Sequence, residues 1–335
     1  MTETGSGQVP LNRADLVMEG GGVRGVAFGG VLEVLTERGY RFERIAGTSS
    51  GALTAALVAA LQLAGESAAA VREIAATLDL RRFRDSGAVG RAMGPLHSVA
   101  DVFSLAFEGG LYEGDYLVDW LSGVLSDLGV QTFGDLRRVD QGSALPPEQE
   151  YALVVVASDL SRRRMTLFPW DCAGYGLDPD ELSVAQAVRA SAAIPFFFEP
   201  ARFRTPRGTV SLVDGGILSN YPITIFDQPV RSQARWPTIG VRLSAREGVR
   251  AVEPVNNALE IGMALVDTMM NGIDARHIDD PDTIARTIFV DSGDVRSTDF
   301  SLSRDAQEDL VRRGRAAAMK WLGGNDPDEK VNTRN

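Results

Sequence analysis

Five residues, Gly47-Thr48-Ser49-Ser50-Gly51, place a serine midway between two glycines where the local pattern changes. Residues 42–46 before them form a short strand-like run, and residues 52–64 after them are rich in alanine and leucine. Strand, tight turn, then helix is the context that a nucleophile elbow requires. The turn is too sharp for side chains on its flanks, so glycine occupies both flanking positions. The serine oxygen then stands clear of the backbone above a helix N-terminus, where the dipole favours developing negative charge.

The pattern upstream fits the same architecture. Residues 15–18 form a buried-strand run, followed at once by Gly20-Gly21-Gly22 and an apolar-periodic segment, 23–38, that Gly39-Tyr40 ends. The order strand, glycine loop, helix, strand, elbow, helix reads as a crossover unit of a parallel sheet. Helical spacing returns at 66–80 and at 111–128, whereas 81–114 is rich in Gly, Arg and Phe with weak periodicity. Such a segment is expected to be a lid or surface insertion. Residues 142–149 form a Pro-containing loop, and residues 151–157 are a β-branched core strand with 159–168 as its neighbour. A helix at 182–193 stops at Pro195, and a short strand follows at 210–213. Residues 238–243 are expected to be the last strand of the sheet. Beyond it lie an apolar helix, 255–277, carrying Met263, Met269 and Met270, and a terminal amphipathic helix, 303–322. Ser303 caps that helix and Gly323 closes it.

Charge and cysteine usage exclude several functions. Acidic residues outnumber basic ones, 45 to 34, for a net charge of -11. That balance argues against a nucleic-acid partner and against electrostatic recruitment to anionic membranes. Cys172 is the single cysteine, which leaves no disulfide framework and no cysteine-based metal site. The polar stretch 1–12 lacks the features of a secretory signal, and the run 52–64 is too short to span a bilayer. A cytoplasmic protein is expected.

A nucleophilic serine needs an oxyanion binder and a base. The first candidate is Glu19-Gly20-Gly21-Gly22-Val23-Arg24-Gly25, where consecutive glycines let N–H groups turn toward an anion. The same stretch matches G-x-G-x-x-G, the dinucleotide fingerprint. Against that reading, the next strand leads into the elbow and supplies no acidic residue to hold a ribose; Glu43 precedes the strand's apolar part. For the base, a conventional triad requires a histidine, and only His97 and His277 exist. Asp214, in Val213-Asp214-Gly215-Gly216, is the alternative. A carboxylate at a strand end accepts a serine proton if burial raises its pKa towards neutrality. Read by itself, Asp-Gly-Gly is also an ordinary turn.

Together, the glycine loop Gly20 to Gly25, the elbow Gly47 to Gly51 and the Asp214-Gly215-Gly216 turn resemble the patatin-like phospholipase family. Residues 190–198 and Asn220-Tyr221-Pro222 also look like the family. The resemblance implies a three-layer α/β/α fold with a mostly parallel central sheet. Its catalytic domain would cover 14–228, with 229–322 as a C-terminal extension and 323–335 as a disordered tail. It implies a Ser49-Asp214 dyad, in which Ser49 attacks an ester carbonyl and Asp214 takes its proton and later activates water. The oxyanion hole would be formed by Gly20, Gly21, Gly22 and Arg24, with the N–H groups of Gly21 and Gly22 as donors. Gly25, Gly47, Gly51, Gly215 and Gly216 are the motif glycines. No metal or cofactor is implied. The expected substrate is a fatty acyl ester: phospholipid, lysophospholipid or glyceride, with transient contact to a membrane surface. Phe196, Phe197 and Phe198, on an expected strand, and the lid segment 96–107 are candidates for an acyl pocket. Two alternatives stand beside the hydrolase: a latent effector opened by a partner or small ligand, and an acyltransferase of the same fold. Glu19 stands where the family usually has aspartate, and Gly216 replaces an alanine common in plant members.

Overall fold

The computed structural model describes residues 12–80, 82, 114–138, 145–228, 236–243, 255, 258–272 and 280–325. The first half runs β1 (Asn12–Met18), α1 (Ala27–Glu37), β2 (Tyr40–Thr48), α2 (Ser50–Leu63), α3 (Val71–Ala75) and α4 (Asp115–Asp127). Next come β3 (Leu153–Asp159), β4 (Arg164–Phe168), α5 (Cys172–Tyr175), α6 (Val184–Ser191), β5 (Ala201–Thr205) and β6 (Gly208–Asp214). The chain continues through β7 (Thr238–Arg242), α7 (Ala258–Gly272), α8 (Pro281–Ala285), β8 (Thr287–Phe289) and α9 (Arg304–Asn325).

One sheet organises these elements in the order β5-β6-β3-β2-β1-β7-β8, with β4 also paired to β3. The run from β3 to β8 is parallel, and β4, β6 and β5 join antiparallel. The α/β class with a mostly parallel central sheet is therefore as expected. Alternation along each strand sorts the core into two faces. Ala14, Leu16 and Met18 join Ile45 and Val155 in the larger cluster, with α1, α2 and α6. Val17, Ala46 and Val154 point the other way, where Tyr221, Ile223 and Phe226 cover them. Helix α2 is apolar on nearly every side and buried accordingly, from Gly51 to Leu61.

Register is what assembles the site. Met18 of β1 lies opposite Gly47 of β2, so the glycine loop and the elbow leave the sheet side by side. Thr48 lies opposite Val156 of β3, and Ala157 of β3 lies opposite Asp214 of the antiparallel β6. Loops after β1, β2 and β6 converge on one edge.

Several elements differ from the sequence reading. The strand at 238–243 is not the last, because β8 pairs outside β7. Strand β5, with exposed Arg202 and Arg204, is an edge strand whose charges hid it. Residues 195–197 form a turn instead of a strand, with Phe196 at φ 70, and Phe198 makes a lone β-bridge after it. Ser303 caps α9 by accepting from Ala306 N–H at 3.2 Å, and the helix runs past Gly323 to Asn325. His97, His277 and nearly all of the 81–114 insertion lie outside the described residues, as does the tail beyond Asn325. Among the described residues no helix is long and apolar enough to cross a membrane.

Near the sheet's centre, Asp15 of β1 is fully buried and accepts from Arg44 N–H at 3.2 Å and from its Nε at 3.1 Å. Burial raises the Asp15 pKa despite the guanidinium. Arg44→Met should therefore lower the unfolding free energy by about 3 kcal/mol at neutral pH, read from urea denaturation. The deficit should shrink as pH falls through the raised Asp15 pKa, where the carboxyl takes up a proton and the unpaired charge disappears.

Candidate active site

Ser49 connects β2 to α2 with φ 54 and ψ -122, a conformation that side-chain-bearing residues rarely adopt. Specific bonds hold it there. Ser49 N–H donates to Ser191 Oγ at 2.8 Å, and Ser191 Oγ donates to the Val156 carbonyl at 2.6 Å. The Ser49 carbonyl accepts from Leu53 N–H at 3.0 Å, which starts α2 directly behind the serine. A Cβ on Gly47 would collide with the Gly51 carbonyl, and one on Gly51 would collide with the carbonyls of Met18 and Glu19. Both elbow glycines are thus demanded by close backbone approach.

Asp214 ends β6 and is fully buried. Its Oδ1 accepts from Gly216 N–H at 2.8 Å. Burial is the dominant influence and pushes the carboxyl pKa up to about 7, opposed by the Ser49 side chain and the Gly216 N–H. The Ser49 interaction is looser than a formed hydrogen bond, since Oδ2 has no partner within bonding geometry among the described residues. Such bonds commonly tighten only when substrate arrives. The structure thus brings Ser49 and Asp214 together, 165 positions apart in sequence.

The glycine loop is stapled at several points. Gly20 N–H donates to the Asn220 carbonyl at 2.9 Å, so it is engaged within the scaffold. Gly21 N–H donates to Ser50 Oγ at 3.0 Å. Gly22 N–H has no acceptor among the described residues. With φ +55 and the Ser297 carbonyl against its α-carbon, Gly22 excludes any side chain. Arg24 turns back on the loop, its Nε donating to the Gly21 carbonyl at 3.2 Å. Ser50 packs so closely on Gly25 that a Cβ there would sit 2.7 Å from the Ser50 Cβ. Glu19 anchors the loop from below, accepting from Arg242 Nε at 3.1 Å and from Leu243 N–H at 2.6 Å. Burial raises the Glu19 pKa, and Arg242 is the chief opposing charge. Beyond Asp214, Gly215 packs on the Val156 carbonyl, and Gly216 lies between Asp214, Asn220 and Met270. Cys172 is buried away from this site in α5, its thiol pushed up to about 12 by burial.

Sequence reasoning assigned no role to Ser191, Asn220, Ser50 or Arg242. Ser191 and Asn220 fell inside stretches already noted, but their partners lie 142 and 200 positions away. Local pattern carries no trace of such pairings. Among the described residues no group of His, Cys, Asp and Glu is placed to hold a metal ion.

A family model described as patatin-like phospholipase matches residues 16–227. The chain belongs to the patatin-like phospholipase family, a family of lipid acyl hydrolases. It is 38% identical over 308 residues to the uncharacterized protein YqhO of Bacillus subtilis, covering 92% of this chain and 97% of that one. An uncharacterized NTE family protein of Mycobacterium tuberculosis is 32% identical over 211 residues, covering 63% of this chain and 27% of its own. Among solved structures, VipD from Legionella pneumophila matches with a TM-score of 0.49 at 18% identity, covering 96% of this chain and 69% of VipD.

The buried carboxyl has a consequence for stability. Its pKa is raised from 3.8 to about 7, so the unfolded chain releases the proton first as pH rises. Folding is therefore penalised progressively from pH 3.8 to about 7, and fully above that. Asp214→Asn should raise the unfolding free energy at pH ~8 by on the order of 4 kcal/mol, with no gain near pH ~3.5. Thermal and urea denaturation at both pH values check this; equal effects at both would contradict it.

Proposed function

We propose that this protein is a serine lipid acyl hydrolase that cleaves fatty acyl esters through a Ser49-Asp214 dyad and an acyl-enzyme. One observation carries the reading. A serine held at φ 54 on an elbow faces a carboxyl that burial has moved to about 7. A carboxylate of that pKa is a competent base near neutral pH.

In the proposed reaction, ionised Asp214 removes the Ser49 proton as Oγ attacks the ester carbonyl. The oxyanion forms at the start of α2, whose N-terminal dipole favours it. Gly22 N–H is the donor available for it. Gly21 N–H becomes a second donor once Ser50 Oγ gives way to the substrate oxygen. Protonated Asp214 then passes its proton to the leaving alcohol, and the acyl group remains on Ser49. Water completes the cycle, with Asp214 as base again. Arg24 braces the loop in this scheme.

Helix α7 supports an acyl substrate. Its Gly262 packs on the Phe196 ring and its Met270 on Gly216, beside Asp214. On the outer side Ile261, Leu265 and Met269 are exposed at one-turn spacing. That stripe lacks basic residues and suits brief contact with a lipid surface of low charge. Phospholipid, lysophospholipid and glyceride are the proposed substrates, and the cytoplasm is the proposed compartment.

Ser49→Ala and Asp214→Asn should each reduce hydrolysis of a long-chain chromogenic ester by about 10³-fold or more. Because the base acts when ionised, wild-type kcat/KM should rise with pH, reach half its maximum near 7 and level off above. Full activity in Asp214→Asn, or a profile already level at pH ~5, would remove Asp214 from the role of base.

A further inference from the structure

Asn220 follows the 3-10 turn after Asp214 and is 3% exposed. It grips Gly20 twice, its carbonyl accepting from Gly20 N–H at 2.9 Å and its Nδ2 donating to the Gly20 carbonyl at 3.1 Å. The second bond settles the orientation of the amide, since only the nitrogen can donate to a carbonyl. Oδ1 is therefore turned away from Gly20's carbonyl. It is buried and accepts no hydrogen bond among the described residues.

Its surroundings define where Oδ1 sits. The side-chain direction of Gly216 runs into Asn220 Oδ1 at 2.8 Å and into Asp214 Oδ1 at 3.1 Å. The side-chain direction of Gly20 runs into Asn220 Oδ1 and, at 3.3 Å, into Ser49 Cβ. Asn220 Oδ1 thus borders the corner shared by nucleophile and base. Asp214 Oδ2 is likewise buried without a formed bond. A buried acceptor without a bond is costly unless a donor reaches it, and Asn220 Oδ1 lies beside the Asp214 carboxylate across Gly216. The attacking molecule of a hydrolase has two O–H donors.

We infer that Asn220 Oδ1 positions the deacylating water. One O–H of that water donates to Asp214 and the other to Asn220 Oδ1, which aims an oxygen lone pair at the acyl carbon. As the new C–O bond forms, the first proton passes to Asp214. Collapse of the tetrahedral intermediate breaks the bond to Ser49 Oγ, which takes that proton back. Fatty acid leaves and the free dyad is restored. The inference rests on the Ser49-Asp214 reading and deepens it, because acylation by Ser49 requires no water and does not use Oδ1.

The two half-reactions separate the water-holding role from the Gly20 clamp. Labelling of Ser49 by a long-chain fluorophosphonate reports acylation competence. Steady-state ester hydrolysis, with intact-mass detection of acyl-enzyme, reports deacylation. For Asn220→Ala, which also loses the Nδ2 clamp on Gly20, hydrolysis should fall about 10- to 100-fold further than labelling does, acyl-enzyme should accumulate, and added hydroxylamine should restore turnover. Asn220→Asp keeps an acceptor, so it should retain more deacylation than Asn220→Ala. Its pH profile should move upward, since a second carboxylate disfavours ionisation of Asp214. Labelling and hydrolysis falling by the same factor in both variants, without hydroxylamine rescue, would reduce Asn220 to a structural clamp. Hydrolysis at the wild-type rate in both would also overturn the inference. Failure of wild-type Ser49 to label would instead bring down the dyad reading on which it stands.

Discussion

Removing the Asp214 carboxyl from water, with no compensating cation among the described residues, is the constraint from which the site's proposed chemistry follows. Asp15, Glu19 and Asp214 are buried carboxyls of this sheet whose surroundings differ. Asp15 has Arg44, and Glu19 has Arg242 together with the Leu243 N–H. The influences on Asp214 are burial, the Ser49 side chain and the Gly216 N–H. A guanidinium beside it would pull the carboxyl toward full ionisation and leave it a weak base. Neutral donors stabilise the anion less, so the group titrates near neutral pH, as the proposed role of base requires.

The rest of the scaffold holds a strained serine against that carboxyl. A serine at φ 54 relaxes unless its neighbours fix it. Here the chain Ser49 N–H to Ser191 Oγ to the Val156 carbonyl ties the elbow to α6 and β3 at once. The parallel pairing of β1 with β2 sets the glycine loop beside the elbow, and the antiparallel entry of β6 brings Asp214 up to the same edge. Asn220 then ties the loop after β6 to the loop after β1 through both of Gly20's backbone groups. Three loops far apart in sequence become one rigid wall, which is what pre-organised charge stabilisation requires.

Much of this is legible in the chain itself, and the exceptions have physical causes. The elbow was readable because its glycines are forced by local backbone contact between Gly47 and Gly51. Strand β3 was readable because it is buried along its whole length and correspondingly β-branched. Strand β8 has three residues, too few to show a period, and β5 carries arginines at alternate exposed positions. Phe196 to Phe198 looked like strand because bulky aromatics favour it, yet Pro195 opens a turn there instead. At the site, the glycine motif pointed to backbone donors, but which N–H groups are engaged depends on Ser50 and Asn220. Ser191 illustrates the limit most plainly: its function is a bond to residues on two other elements.

The central claim concerns one carboxyl, and its ionisation can be observed without any substrate. Carbon-detected NMR of protein labelled with 13C at the aspartate carboxyl, with Asp214→Asn assigning the resonance, follows that group through its titration. The account predicts a midpoint near 7 for Asp214 in the wild type, and a higher one in Ser49→Ala, which lacks the hydroxyl that favours the anion. A midpoint near the ordinary aspartate value of about 4 would contradict it.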